Sequence, residues 1–160
     1  MSTSPLRVCI TLGTRPEAIK LAPVIQAFRQ SADFATHVVL TGQHREMVAQ
    51  VMQLFQLEAD ADLDIMQPQQ SLTDITCRSL QGLEQYFQQL QPDLVIVQGD
   101  TTTAFSAALA AFYQKIPSVT SKRGCAPMTS SIPFQKRPIV VWCRKLRAST
   151  LPLRTLLWVT

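Results

Sequence analysis

The chain has 160 residues, of which 46% are hydrophobic and 16% are charged, and its formal net charge is +4. This length fits one domain, or half of a larger two-domain protein, and the apolar share excludes a wholly disordered chain. No apolar run is long enough to span a bilayer, and no basic-then-apolar leader opens the sequence, so we expect a soluble cytoplasmic protein. The four cysteines are too far apart for a CxxC motif and predict neither a disulfide framework nor a zinc site.

Charge divides the sequence into two parts. Residues 1–117 contain all 11 acidic residues and 7 Lys and Arg, whereas Ser118–Thr160 contains 8 Lys and Arg and no acid at all. Folded cytoplasmic domains normally mix both signs of charge. We therefore interpret residues 1–117 as one domain and residues 118–160 as a basic tail of a different kind.

The first half of that domain alternates between strand and helix patterns. The apolar run Leu6–Leu12 predicts a buried parallel strand, and the apolar spacing of Arg15–Gln30 predicts a helix, with a kink at Pro23. A second strand is expected at His37–Leu40 and a second helix at Glu46–Leu57.

The second half continues the alternation. Its expected elements are a connection over Glu58–Gln70, a helix capped by Ser71–Asp74 and stopped by Pro92, a strand at Leu94–Val97, a helix over Thr101–Tyr113, and a strand beginning at Ile116–Pro117. The alternation predicts an α/β fold, a Rossmann-like parallel sheet with helices on both faces. Ligands of such sheets bind beyond the carboxyl ends of the strands, so the residues that follow each strand are the candidate site.

The segment after the first strand combines a glycine with two cations. Gly13 allows a ligand to approach the backbone, and free N–H groups at a helix start favour an anion. Arg15 could hold a phosphate bidentately, with Lys20 as a second charge. The alternative is a helix cap followed by two solvated cations, and the two interpretations stay balanced on chemistry alone. The segment is not a P-loop, because GxxxxGK[ST] is absent.

Two further segments follow strands. Asp100 comes after LVIVQG and before three threonines, where a helix N-cap is the favoured interpretation and a catalytic carboxylate is the alternative. His44 follows the second strand as a lone histidine, a residue that is more often structural than catalytic.

Four segments of the chain carry a family resemblance: GTRPEAIKLAPVI, TGQHREM, LDIMQPQQSLTDIT and VIVQGDTTTAFSAALAAFYQKIP. Together they resemble non-hydrolysing UDP-N-acetylglucosamine 2-epimerases, from about Leu6 to Pro117. The resemblance implies two Rossmann-like domains in a GT-B-like arrangement, of which this chain has an incomplete first domain. It also implies that UDP-GlcNAc is converted to UDP-ManNAc by elimination and re-addition of UDP, with no cofactor and no metal, in a protein that is a homodimer at full length.

The same resemblance assigns residues to the site. It implies that Arg15 and Lys20 bind the nucleotide sugar and that Asp100 is a catalytic carboxylate. Gln43 and His44 are implied to line the same edge as substrate-binding residues. For Asp100 the resemblance thus favours a site role over the cap.

The basic tail departs from the family pattern. Where the family continues GHVEAGLR and later PEE-N-R, this chain reads SVTSKRGCAPM and contains no glutamate. If one nucleotide is restored in the codon of Ser118, permitted synonymous codons read VGHVEAGLR and then FPEEANR at the family's distance. The two family glutamates then fall at Lys122 and Lys136. We interpret residues 118–160 as an out-of-frame tail without native structure, and the chain as a truncated, inactive fragment.

A different class of function stays open for the tail. Its charge of +8, with Trp142 and Trp158, could bind nucleic acid or an acidic membrane surface. However, the tail has no basic helical face, no RNP motif and no zinc-ligand spacing. We therefore expect no specific nucleic acid and no membrane among the partners, and UDP-N-acetylglucosamine as the small-molecule partner.

Overall fold

Residues 4–121 are described by a computed structural model, and five parallel strands form their central sheet. In chain order the elements are β1 (Leu6–Leu12), α1 (Arg15–Gln30), β2 (Phe34–Leu40), α2 (Arg45–Leu54), β3 (Ala61–Asp62), α3 (Leu72–Leu90), β4 (Leu94–Gln98), α4 (Thr102–Tyr113) and β5 (Ser118–Ser121). The strand order is β3-β2-β1-β4-β5. The predicted α/β fold with a Rossmann-like parallel sheet is confirmed.

The sheet is covered on both faces by helices. Val8, Ile10 and Leu12 of β1 point to one face, where they pack with α1 and α2 in a single apolar cluster. The alternate residue Cys9 points to the other face and packs with α3 and α4. Burial on both faces explains why β1 is an uninterrupted apolar run in the sequence.

Several predicted boundaries agree with the structure. The predicted bounds of β1 and α1 are confirmed, and α1 continues through Pro23 as one helix. The start of α3 is confirmed as well, since Ser71 Oγ accepts from Asp74 N at 3.2 Å and Asp74 Oδ2 accepts from Ser71 N at 3.0 Å. These elements carry strong local signals, namely a continuous apolar run and side-chain caps.

Other boundaries differ from the prediction. β2 begins at Phe34 rather than His37, because its backbone pairs with β1 from Leu6 onward. α2 ends at Leu54 rather than Leu57, and Gln56 then adopts a left-handed φ of 53°. The segment predicted as a connection contains the two-residue strand β3. So short a strand depends on backbone pairing with β2 and leaves no side-chain period to detect.

Two leucines of the helices are largely exposed. Leu54 is 77% exposed and Leu72 is 72% exposed. In α2 the buried residues are Val48, Val51 and Met52. In α3 burial begins only at Ile75.

The predicted boundary at Pro117 falls immediately before the last strand of the sheet. Ser118–Ser121, the first four residues of the predicted tail, form β5 and pair with β4 in parallel, with Ser118 opposite Val95. Parallel pairing uses backbone N–H and C=O groups, so it does not require particular side chains. The remainder of the tail, residues 122–160, lies outside the described residues. Among the helices that are described, none is long and apolar enough to cross a membrane.

Candidate functional site

The strand order creates a crevice at the carboxyl ends of β1 and β4. From β1 the chain moves outward to β2 and β3, and it then returns to place β4 on the opposite side of β1. Such a reversal is the usual ligand site of a doubly wound sheet. It places the segments after β1 and β4, which the sequence singled out separately, side by side.

Glu17 forms the centre of this crevice. Its side chain is 3% exposed. Its Oε2 accepts hydrogen bonds from the backbone N–H groups of Gly13, at 2.8 Å, and Thr14, at 2.9 Å. Its Oε1 accepts from Thr101 Oγ1 at 2.5 Å. One carboxylate therefore joins the start of α1 to the start of α4.

Two backbone amides beside the predicted anion site after β1 are already engaged. The Gly13 and Thr14 N–H groups donate to the carboxylate of Glu17. Arg15 and Lys20 are both exposed on α1. These two cations are therefore accessible at this edge of the sheet.

Thr103 connects the segment after β4 to the segment after β2. Its Oγ1 donates to Gln43 Oε1 at 2.8 Å, and it lies 3.4 Å from Thr41 Oγ1. Thr103 is 1% exposed, whereas Gln43 is half-buried. The Gln43 carbonyl oxygen accepts this hydrogen bond, and its amide nitrogen is a donor that the contact does not use.

Asp100 and His44 occupy exposed positions at the same edge. The N-cap of α4 is Thr101, whose Oγ1 accepts from Ala104 N at 3.1 Å, so the interpretation of Asp100 as the cap is wrong. Asp100 instead follows Gly99, which has a φ of +82°. His44 precedes α2, its side chain makes no capping hydrogen bond, and its backbone N–H donates to Gly13 O at 3.1 Å.

A cleft of about 10 Å³ lies at the carboxyl ends of β1 and β2, and its lining comprises Leu12, Gly13, Leu40, Gly42, Arg45, Val48 and Asp62. Ligand pockets usually have about 300–1,000 Å³. This cleft is therefore too small to hold a nucleotide. Within residues 4–121, no cluster of three or more His, Cys, Asp or Glu is placed to hold a metal ion.

Sequence reasoning missed Glu17, Thr101 and Thr103 as individual parts of the site. A local signal for Glu17 was present, because Thr14-x-x-Glu17 has the spacing of a capping box. No local signal marked the contact between Thr103 and Gln43, which are 60 residues apart. That contact depends on which strands are neighbours.

Comparison with known proteins identifies close relatives of this chain. The family profile of UDP-N-acetylglucosamine 2-epimerase matches residues 26–124. The chain is 52% identical over 112 residues to the UDP-N-acetylglucosamine 2-epimerases of Yersinia pestis and of Escherichia coli K12. In each case the match covers 70% of this chain, which spans only 30% of the relative's length.

Solved structures agree with the sequence matches. UDP-GlcNAc 2-epimerase from Neisseria meningitidis, solved bound to UDP-GlcNAc, superposes with a TM-score of 0.73 at 47% identity, covering 78% of this chain and 33% of that one. The enzyme from Methanocaldococcus jannaschii, in complex with UDP-GlcNAc and UDP, superposes with a TM-score of 0.70 at 29% identity, covering 83% and 37%. These relatives have a GT-B-like fold, and this chain matches about a third of it.

Proposed function

Because the chain belongs to the UDP-N-acetylglucosamine 2-epimerase family, we propose that its described domain binds UDP-N-acetylglucosamine at the crevice between β1 and β4. One observation carries the proposal. The strand order brings the segments after β1, β2 and β4 to one edge of the sheet, and these segments bear all the residues that the sequence nominated. Structures of relatives bound to UDP-GlcNAc support the choice of ligand.

The proposed roles follow from side-chain chemistry. The exposed Arg15 guanidinium and Lys20 ammonium bind the diphosphate, because paired cations at a helix start complement its charge. Gln43 and His44 contact the sugar-nucleotide along the same edge. Asp100 serves as the catalytic carboxylate, moving a proton during elimination and re-addition of UDP in the conversion to UDP-ManNAc.

We propose that the 160-residue chain binds UDP-N-acetylglucosamine but does not convert it. The family's GHVEAGLR and PEE-N-R glutamates are replaced by Lys122 and Lys136, and catalytic groups that act together lose most of their effect when one is removed. The frame interpretation places a single missing nucleotide at codon 118. Resequencing codons 115–125 tests it directly. A recovered base restores GHVEAGLR and means that the gene encodes the full-length protein, whereas an unchanged read means that the deletion is real and that the gene encodes the truncated chain.

Binding can be measured on the 160-residue chain. UDP-GlcNAc is titrated into ¹⁵N-labelled protein, and the shifted amides should lie at the carboxyl edge of β1, β2 and β4. Arg15→Ala and Lys20→Ala should each weaken binding about tenfold, the loss of one charge-assisted hydrogen bond. Lys115→Ala is the matched control, since this exposed lysine follows the C-terminal end of α4 at the opposite edge of the sheet. Shifts confined to that opposite edge, or no shifts, would overturn the proposal.

Turnover needs a separate assay. Formation of UDP-ManNAc, and deuterium uptake at carbon 2 of the sugar in deuterated water, should both be absent with the printed chain. Both should appear with the full-length protein in the restored frame, and Asp100→Asn in that protein should bind UDP-GlcNAc but lose turnover. Turnover by the printed chain would contradict the assignment.

Location and assembly complete the proposal. A cytoplasmic location is supported by the thiols of Cys9 and Cys77, which are not in disulfides. A homodimer of the full-length protein is supported by the exposed aromatic side chains of Phe105, Phe112 and Tyr113 on α4. Cell fractionation tests the location, and light scattering of the full-length protein tests the dimer. Nothing in the described residues favours the alternative of nucleic-acid or membrane binding.

A further inference from the structure

The carboxylate of Glu17 is buried and engaged within the domain. Its two oxygens accept three hydrogen bonds, from Gly13 N, Thr14 N and Thr101 Oγ1, and its side chain is 3% exposed. A buried carboxylate cannot exchange a proton with a substrate outside the domain. Any effect of Glu17 on ligand binding must therefore act through the three groups that it bonds.

Those groups lie directly beside the proposed ligand contacts. Thr14 immediately precedes Arg15 in the chain, and Thr101 immediately follows Asp100. A hydroxyl has a single proton, and the hydroxyl of Thr101 donates it to Glu17 while accepting from Ala104 N at 3.1 Å. Glu17 therefore selects the side-chain orientation in which Thr101 caps α4. In this way one buried group sets the backbone before Arg15 and the backbone after Asp100.

We propose that Glu17 is a positioning residue of the UDP-N-acetylglucosamine site, holding Arg15 and Asp100 in a constant relation through its hydrogen bond to Thr101. The inference rests on the proposed function, because it assumes that the ligand is bound between these two segments. It predicts that the affinity for UDP-N-acetylglucosamine depends on the Glu17–Thr101 pair as a unit. The two side chains act by bonding to each other rather than by contacting the ligand.

A double-mutant cycle on the 160-residue chain tests this dependence. Glu17→Gln keeps the shape but replaces one acceptor oxygen with a donor, and Thr101→Val keeps the shape but removes the hydroxyl. Each should weaken UDP-GlcNAc binding about tenfold, and the double variant should bind no more weakly than either single variant. Thr101→Ser retains the hydroxyl and should restore the wild-type affinity, which a general loss of packing would not allow.

Two controls match these changes. Glu46→Gln alters an exposed glutamate in the first turn of α2, and Ser71→Ala removes the N-cap of α3, which makes no link to the crevice. Both should leave the affinity unchanged. Additive losses in the double variant, or unchanged affinity in Glu17→Gln, would overturn the inference. If Glu17→Gln does not fold, the comparison of Thr101→Val with Thr101→Ser decides the question in the same way.

Amide hydrogen exchange separates this inference from the proposed function. Without ligand, Glu17→Gln should speed exchange at Ala104, whose N–H is bound by Thr101 Oγ1. If the wild-type chain does not bind UDP-GlcNAc, the proposed function fails. In that case, faster exchange at Ala104 in Glu17→Gln would still support the structural link between the two segments, and unchanged exchange there would overturn it.

Discussion

Thr103 lies directly over Gly13, so closely that a Cβ on Gly13 would stand 2.5 Å from Thr103 Oγ1 and 2.8 Å from its Cβ. The contact joins the last residue before the α1 cap to the first turn of α4. It explains why glycine follows β1: the backbone there must allow a branched side chain of the neighbouring segment to reach Gln43 and Thr41.

Gly13→Ala should therefore destabilise the domain by about 1–3 kcal/mol, because a methyl group is forced against a buried side chain that cannot move aside. The free energy of unfolding in urea measures the effect. Gly82→Ala is the matched control, since its Cβ would lie 3.3 Å from Leu63 Cδ1, the mobile end of a side chain. That change should be neutral or stabilising by up to about 1 kcal/mol, as alanine is favoured within a helix. Equal losses in the two variants would contradict the close-contact explanation.

Thr103→Val should cost about 1–3 kcal/mol, because it leaves the Gln43 carbonyl oxygen without its donor. Thr36→Val makes the same chemical change where the Oγ1 atom is buried and has no hydrogen-bond partner. It should be neutral or stabilising, since it removes an unsatisfied polar atom. Urea unfolding of the two variants distinguishes these outcomes, and the hypothesis fails if Thr36→Val is the more damaging change.

The two cysteines of the described domain should differ in reactivity. Cys9 is 0% exposed, and burial raises the pKa of its thiol well above the ordinary value, whereas Cys77 is exposed on α3. In a Cys125→Ser, Cys143→Ser background, one thiol should react rapidly with a thiol reagent in the native state and two after denaturation. Cys77→Ser should abolish the rapid reaction. Rapid labelling of Cys9 in the folded chain would contradict its placement in the sheet.

The contribution of the α3 cap to the free energy of unfolding should depend on pH in the acid range. Hydrogen bonds from the Ser71 side chain and backbone lower the pKa of Asp74 in the folded state. A lowered pKa means that the contribution is present above the unfolded-state pKa and is lost as the pH falls through the folded-state value. Asp74→Asn should therefore lower the urea midpoint at pH 7, and the difference from wild type should shrink in acid. Glu46→Gln serves as the control, and a difference that grows in acid would reverse the predicted sign.

The candidate site was only partly predictable. Arg15, Lys20, His44 and Asp100 were singled out because they follow strands, Gln43 was added by the family resemblance, and the structure places all five on segments at the same edge of the sheet. Their roles in binding and catalysis remain proposals. The residues that join these segments were not predicted, and one interpretation was wrong, because Thr101 and not Asp100 caps α4.

The sequence by itself determined the α/β class, the positions of most helices and strands, and the family. Apolar periodicity, caps and turn residues act over a few positions, and each element can therefore be recognised from a short stretch of sequence. Only the tertiary structure decided that β4 lies beside β1, and with it the bond between Glu17 and Thr101, which are 84 residues apart. Contacts of this kind depend on the order of strands in the sheet. That order results from packing the whole domain and has no counterpart in any local pattern of residues.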